Sequence, residues 1–171
     1  WINFWWIKNR MEKTNKVEKT NKMEETKETQ ESLQRKREQA LQRLHKERTE
    51  EALWDCVTAY QDFEFHTYSG LPYSYYMKYS RSGTYTKELW INRSEKSKSL
   101  VWSSVRSAYQ KVLELQQESE RPVVERPKAL GDIRGITYIY GIFYEFALLE
   151  MPEKAKEKIA LQTAGQKSPG K

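Results

Sequence analysis

The chain has 171 residues, too few for two full-sized domains and enough for one domain with an extension. It carries 30 Lys and Arg against 24 Asp and Glu, a net charge of +6, and only 37% hydrophobic residues, so a core forms only where apolar side chains are concentrated. Cys56 is the sole cysteine, which excludes an internal disulfide and fits a reducing compartment; no run of about 20 apolar residues offers a membrane span.

Trp1 to Ile7 is apolar, but it is too short for a signal peptide and has no small-residue cleavage site. Composition changes at Met11, which is expected to be the natural start, with residues 1–10 an upstream extension. From Met11 the motif Met-Glu-Lys-Thr-Asn-Lys recurs as Val17 to Lys22 and begins again at Met23. A period of six matches neither the helix nor the heptad and builds no apolar stripe. Glu–Lys pairs four apart add only about 0.2–0.5 kcal/mol each. Residues 1–29 are therefore expected to be a disordered or frayed low-complexity arm. From Gln30 to about Tyr60 the pattern turns helical, thinly through Leu33, Leu41 and Leu44, then more densely through Ala52, Leu53, Val57 and Tyr60. Residues 30–50 read as a solvated helical extension, through which the chain is able to form a homo-oligomer.

Residues 51–150 hold nearly all the remaining Trp, Tyr and Phe and read as one small α+β domain: the end of the long N-terminal helix, a β-hairpin and two further helices. The hairpin covers 73–93, with Tyr73 to Tyr79 and Thr84 to Asn92 as strands around the turn residues Ser80-Arg81-Ser82-Gly83. Ser97 or Ser99 is expected to cap a helix reaching about Gln117, with Val101, Val105, Ala108, Val112 and Leu115 on its apolar face. Pro122 and Pro127 break the next loop. Ile136 to Leu149 suits a strand by composition, but the spacing of Tyr138, Ile139, Ile142, Phe143 and Phe146 favours a helix. Residues 151–171, after Leu149 and Glu150, read as a mostly disordered tail.

Two constellations carry chemistry. Asp62, Glu64 and His66 would share one face of a strand, where two carboxylates and an imidazole suit a divalent metal and a metal-dependent nuclease. Alternation with Phe63, Phe65 and Thr67 explains the same spacing as strand amphipathicity. Cys56 lies on the apolar side of a helix and reads as structural, not as a nucleophile paired with His66. No glycine-rich phosphate loop, serine elbow or zinc-type Cys/His spacing is present. No cofactor is expected.

The second constellation is basic and aromatic. From residue 71 to 111 eight basic residues stand against Glu88 and Glu95, so this stretch alone carries a surplus equal to that of the whole chain. Lys78, Arg81, Lys87, Arg93, Lys96 and Lys98 interleave with Tyr75, Tyr76, Tyr79, Tyr85 and Trp90. Cations neutralise phosphates while rings stack on unpaired bases. Lys78, Arg81, Tyr85, Lys87, Trp90, Arg93, Lys96 and Lys98 are thus the expected contacts to nucleic acid or to a protein that handles it. The rival reading puts the rings in the core and leaves the lysines as ordinary solvated charges.

Leu71-Pro72-Tyr73-Ser74-Tyr75, the stretch from Trp90 to Ser97, and Arg126-Pro127-Lys128-Ala129-Leu130-Gly131 followed by Tyr138 to Phe143 together resemble a small family of proteins from bacterial mobile elements and phages. The resemblance spans about residues 70–148 and departs from the family pattern at Glu95, where a basic residue stands, and at Gly141, where proline stands. It implies an accessory protein of phage or mobile-element type in a bacterial cytoplasm. The expected function is non-catalytic binding of nucleic acid or a nucleic-acid-handling complex, sharpest as an anti-CRISPR inhibitor of a Cas effector. The metal-dependent nuclease and the helix-mediated oligomeric module are the alternatives.

Overall fold

The computed structural model describes residues 2–93 and 98–165. The chain opens with helix α1 (Ile2–Glu47), which runs without a break through the segment expected to be a disordered or frayed arm. No Gly or Pro interrupts it, and its Glu, Lys, Gln and Arg residues are strong helix formers. Thr14, Thr20, Thr26 and Thr29 each donate a hydroxyl hydrogen bond to the carbonyl four residues earlier, at 2.7–2.8 Å, so they do not compete with the helix for backbone amides. Met11, Val17 and Met23 stay exposed because a six-residue step turns each about 240° from the last.

α1 joins the domain only near its C-terminal end, where Leu44 is buried and Ala40 and Leu41 pack against the core. It ends at Glu47 instead of continuing to Tyr60. Arg48 takes a left-handed conformation (φ 53°), and the Thr49 hydroxyl accepts from the Ala52 amide to cap α2 (Glu50–Ala59). That cap, followed by Glu50 and Glu51 in the first turn, sets the break without Gly or Pro. Arg37 locks the two helices together. Its Nε donates to the Ala59 carbonyl at 3.1 Å and its Nη2 to the Gln61 carbonyl at 3.0 Å, satisfying acceptors left at the end of α2.

Four antiparallel strands follow in sequential order: β1 (Phe65–His66), β2 (Pro72–Tyr76), β3 (Glu88–Asn92) and β4 (Lys98–Val101). The expected hairpin is present as β2 and β3, with Tyr75 opposite Ile91 and Tyr76 opposite Trp90. Its strands are shorter than expected, and a Tyr79–Tyr85 bridge pins the loop between them. Lys98 to Val101 was expected to open a helix. It pairs instead with four residues of β3, and α3 (Trp102–Leu115) begins after it. Cross-strand pairing thus overrides the serine signal at Ser99, while Ser97 lies outside the described residues. The sheet buries Tyr73, Tyr75, Leu89, Ile91 and Leu100 on its inner face.

α3 covers this core with Val105, Ala108, Tyr109 and Val112. After a 3-10 turn (Pro127–Leu130) comes α4 (Ile136–Glu145), helical as expected and almost wholly buried. A further helix, α5 (Glu153–Gly165), replaces much of the expected tail; it is anchored by buried Ala155 and by the Lys158 ammonium 5.8 Å from the Tyr68 ring centre. The described residues thus form an α+β domain with five α-helices and one antiparallel sheet.

Three buried tyrosines satisfy their hydroxyls on backbone carbonyls: Tyr73 donates to Tyr138 at 2.5 Å, Tyr75 to Val57 at 2.6 Å and Tyr140 to Val124 at 2.6 Å, while the buried Tyr109 hydroxyl has no partner among the described residues. α4 approaches β1 and β2 so closely that a Cβ at Gly141 would lie 2.5 Å from both the His66 carbonyl oxygen and the Tyr73 hydroxyl. The Gly141→Ala variant is expected to lose about 1–3 kcal/mol of stability in urea unfolding, the usual cost of overpacking; unchanged stability would mean that α4 is not held this tightly.

Candidate functional site

The inner sheet face is committed to the core, so ligand chemistry falls to the outer one. Alternation places Ser74 and Tyr76 of β2, Glu88, Trp90 and Asn92 of β3, and Ser99 and Val101 of β4 on that face. Tyr76 and Trp90 are cross-strand neighbours and both are half-buried. Lys78 places its ammonium 3.8 Å from the Trp90 ring centre, a close cation–π contact. Beside Trp90 opens a cleft of about 390 Å³ bounded by Trp90, Lys98, Ser99, Val101, Ser104 and Arg134.

Arg134 was missed in the sequence because it lies far from the basic stretch, in the loop before α4. Gly135 holds it in place. That residue has φ 81°, and a Cβ there would collide with the Leu100 side chain, so the loop packs directly onto β4. The sequence signal was the Gly-Asp-Ile-Arg-Gly turn, but nothing local said which strand it would meet.

The remaining expected contacts divide. Lys78, Trp90 and Lys98 come together on or beside the outer face. Tyr85 stacks on Tyr79 at the loop, with ring centres 4.4 Å apart and hydroxyls hydrogen-bonded at 2.9 Å, and Arg81 is exposed in the adjacent turn. Lys87 lies elsewhere, with its ammonium 3.7 Å from the Trp54 ring centre and 5.6 Å from that of Trp102. Those two rings meet edge-on at 4.9 Å, in a cleft whose rim carries Glu50, Glu51 and Asp55. Lys87 thus sits over two rings in a cleft with carboxylates on its rim, apart from Trp90. Arg93 is likewise engaged, hydrogen-bonded to the Tyr138 hydroxyl and 5.8 Å from that ring's centre. Tyr75 is core. Lys96 lies outside the described residues.

Asp62, Glu64 and His66 are not assembled as the metal site weighed from the sequence. β1 has only two residues, and Asp62 sits before it in a left-handed turn (φ 63°), with its amide donating to the Tyr75 carbonyl. Among the described residues no group of three or more His, Cys, Asp or Glu is placed to hold a metal ion. The Cys56 thiol is buried, and desolvation, helped by Asp55, pushes it far above the usual thiol range. Burial and this shift both disfavour the thiolate, which is the reactive form. Glu145 is held above the ordinary carboxylate range by burial, which outweighs the opposing pull of His66 and Arg121.

No family model, curated protein or solved structure matches this chain. No described helix is long and apolar enough to cross a membrane.

Two outcomes follow from these environments. Cys56 should resist a disulfide-exchange reagent in the native protein and react stoichiometrically in denaturant; rapid native reaction would contradict its burial. Glu145 binds its proton more tightly folded than unfolded, so stability declines as pH rises from the unfolded-state value through the raised native one. Glu145→Gln should flatten that decline and raise the midpoint of urea unfolding at neutral pH, compared across a pH series.

Proposed function

We propose that this chain is a non-catalytic binding protein whose outer sheet face takes single-stranded nucleic acid, free or within a complex that handles it. The observation that carries this reading is Trp90, half-exposed between Tyr76 and the β4 edge and covered by the Lys78 ammonium. A stacked base is worth about 1–3 kcal/mol, against about 0.5–1 kcal/mol for an exposed cation–π contact. A base therefore displaces Lys78 from the ring, and the freed ammonium meets the neighbouring phosphate. Lys98 extends the positive surface along the strand's path. Ring stacking tolerates any base, which makes the mode general in sequence.

The resemblance at Leu71–Tyr75, Trp90–Ser97 and Arg126–Phe143 supports a phage or mobile-element setting in a bacterial cytoplasm. In that setting the partner sharpens to the nucleic acid held by a Cas effector, with the chain acting as its inhibitor.

Fluorescence anisotropy with a labelled single strand is the test. Affinity should fall with salt, and the double variant Lys78→Ala, Lys98→Ala should reduce the log–log slope by about 1.4, or roughly 0.7 per lost phosphate contact. Trp90→Ala should weaken binding by about 1–3 kcal/mol. Lys87→Gln should leave the affinity unchanged, because Lys87 faces Trp54 and Trp102. Binding that ignores both salt and Trp90, or depends on Lys87 instead, overturns the proposal. Inhibition of a purified Cas ribonucleoprotein, lost with Trp90→Ala, is the measurement for the sharper form.

A further inference from the structure

The cleft beside Trp90 has a chemistry distinct from the stacking surface. Lys98 and Arg134 contribute two full positive charges, and Ser99 and Ser104 contribute two hydroxyls, from three different parts of the chain. Among the described residues, no Asp or Glu lines the cleft. Several other cations of the domain are held in ion pairs: Arg43 with Glu47 and Asp55, Arg106 with Glu50, Arg121 with Glu150, and Lys156 with Glu150 and Glu153. Lys98 and Arg134 make no ion pair among the described residues, although they lie close enough to line one cleft. The Trp90 indole N–H is shielded from solvent and has no acceptor among the described residues. Two cations without ion pairs and two hydroxyls suit an anion with several acceptor oxygens. At about 390 Å³ the cleft exceeds one small oxyanion and leaves room for an attached sugar.

We infer that this cleft is a subsite for a phosphomonoester, the terminal phosphate of a nucleotide or of a nucleic-acid strand. The inference rests on the outer face being the nucleic-acid platform and adds where a strand end docks on it. A terminal phosphate is a better match than an internal one because it carries close to two negative charges and three free oxygens. Arg134 supplies a planar fork to two of those oxygens, Lys98 a point charge, and the serines directed hydrogen bonds. Trp90 then stacks on the terminal base. Gly135, by seating its loop on Leu100, fixes the distance between the two cations.

The test compares one oligonucleotide sequence in three forms, with a 5′-phosphate, with a 3′-phosphate and with neither, alongside adenosine monophosphate, by calorimetry. One phosphorylated end should bind about tenfold or more tighter than the bare strand, the value of one charge-assisted hydrogen bond. Arg134→Gln should abolish that advantage and leave the bare strand within about twofold; the side chain is exposed and unpaired, so the fold is retained. Equal affinity for all three forms overturns the subsite while the platform stands. If no strand binds, the platform reading fails, and adenosine monophosphate decides the cleft alone. Binding that Arg134→Gln removes, with a shift of the Trp90 indole proton assigned through Trp90→Phe, then supports the subsite; no binding overturns it.

Discussion

The close passage of α4 across the sheet is the constraint on which the rest of this fold depends. At Gly141 the helix backbone comes so near β1 and β2 that no side chain fits between them. The Tyr73 hydroxyl bridges the same gap to the Tyr138 carbonyl, while Tyr75 ties the sheet to α2 and Tyr140 ties α4 to the segment before it. Each ring fills core volume and at the same time removes a polar group that would be costly to leave unpaired. With one sheet face sealed in this way, Tyr76 and Trp90, of opposite alternation, are turned outward.

Two lysines close in sequence have different surroundings. Lys78 and Lys87 flank one loop, and each lies over a tryptophan ring at nearly the same distance. Lys78 covers Trp90 on the outer face, and the cleft beside that ring holds Lys98 and Arg134. Lys87 covers Trp54, in a cleft rimmed by carboxylates. A cation among acids is neutralised within the molecule, whereas one among other cations keeps its field for a ligand. Charge counting along the chain treats the two alike.

Legibility in the sequence followed the range of the interactions that fix each element. The hairpin, the face of Val105, Ala108 and Val112, and the rings of α4 came from local periodicity and were readable. β4 was not, because Lys98 to Val101 is short and its identity comes from pairing with β3. The break at Thr49 was written in the cap and the two glutamates after it, but the absence of Gly and Pro hid it. In α1, weak pairs and good helix formers accumulate over 46 residues where a repeat-based reading saw only solvated chain. For the site, Trp90, Lys78 and Lys98 were legible as a cluster. Arg134 was not, since only the contact of Gly135 with Leu100 brings it there.

Helix α1 also forms a long lever arm on the domain. From Ile2 to Leu33 it extends about 47 Å, at 1.5 Å per residue, before meeting the core. A compact unit of the remaining size has a radius of gyration of only about 14 Å. A force applied to the helix near Ile2 therefore reaches the domain through a lever about three times that radius of gyration.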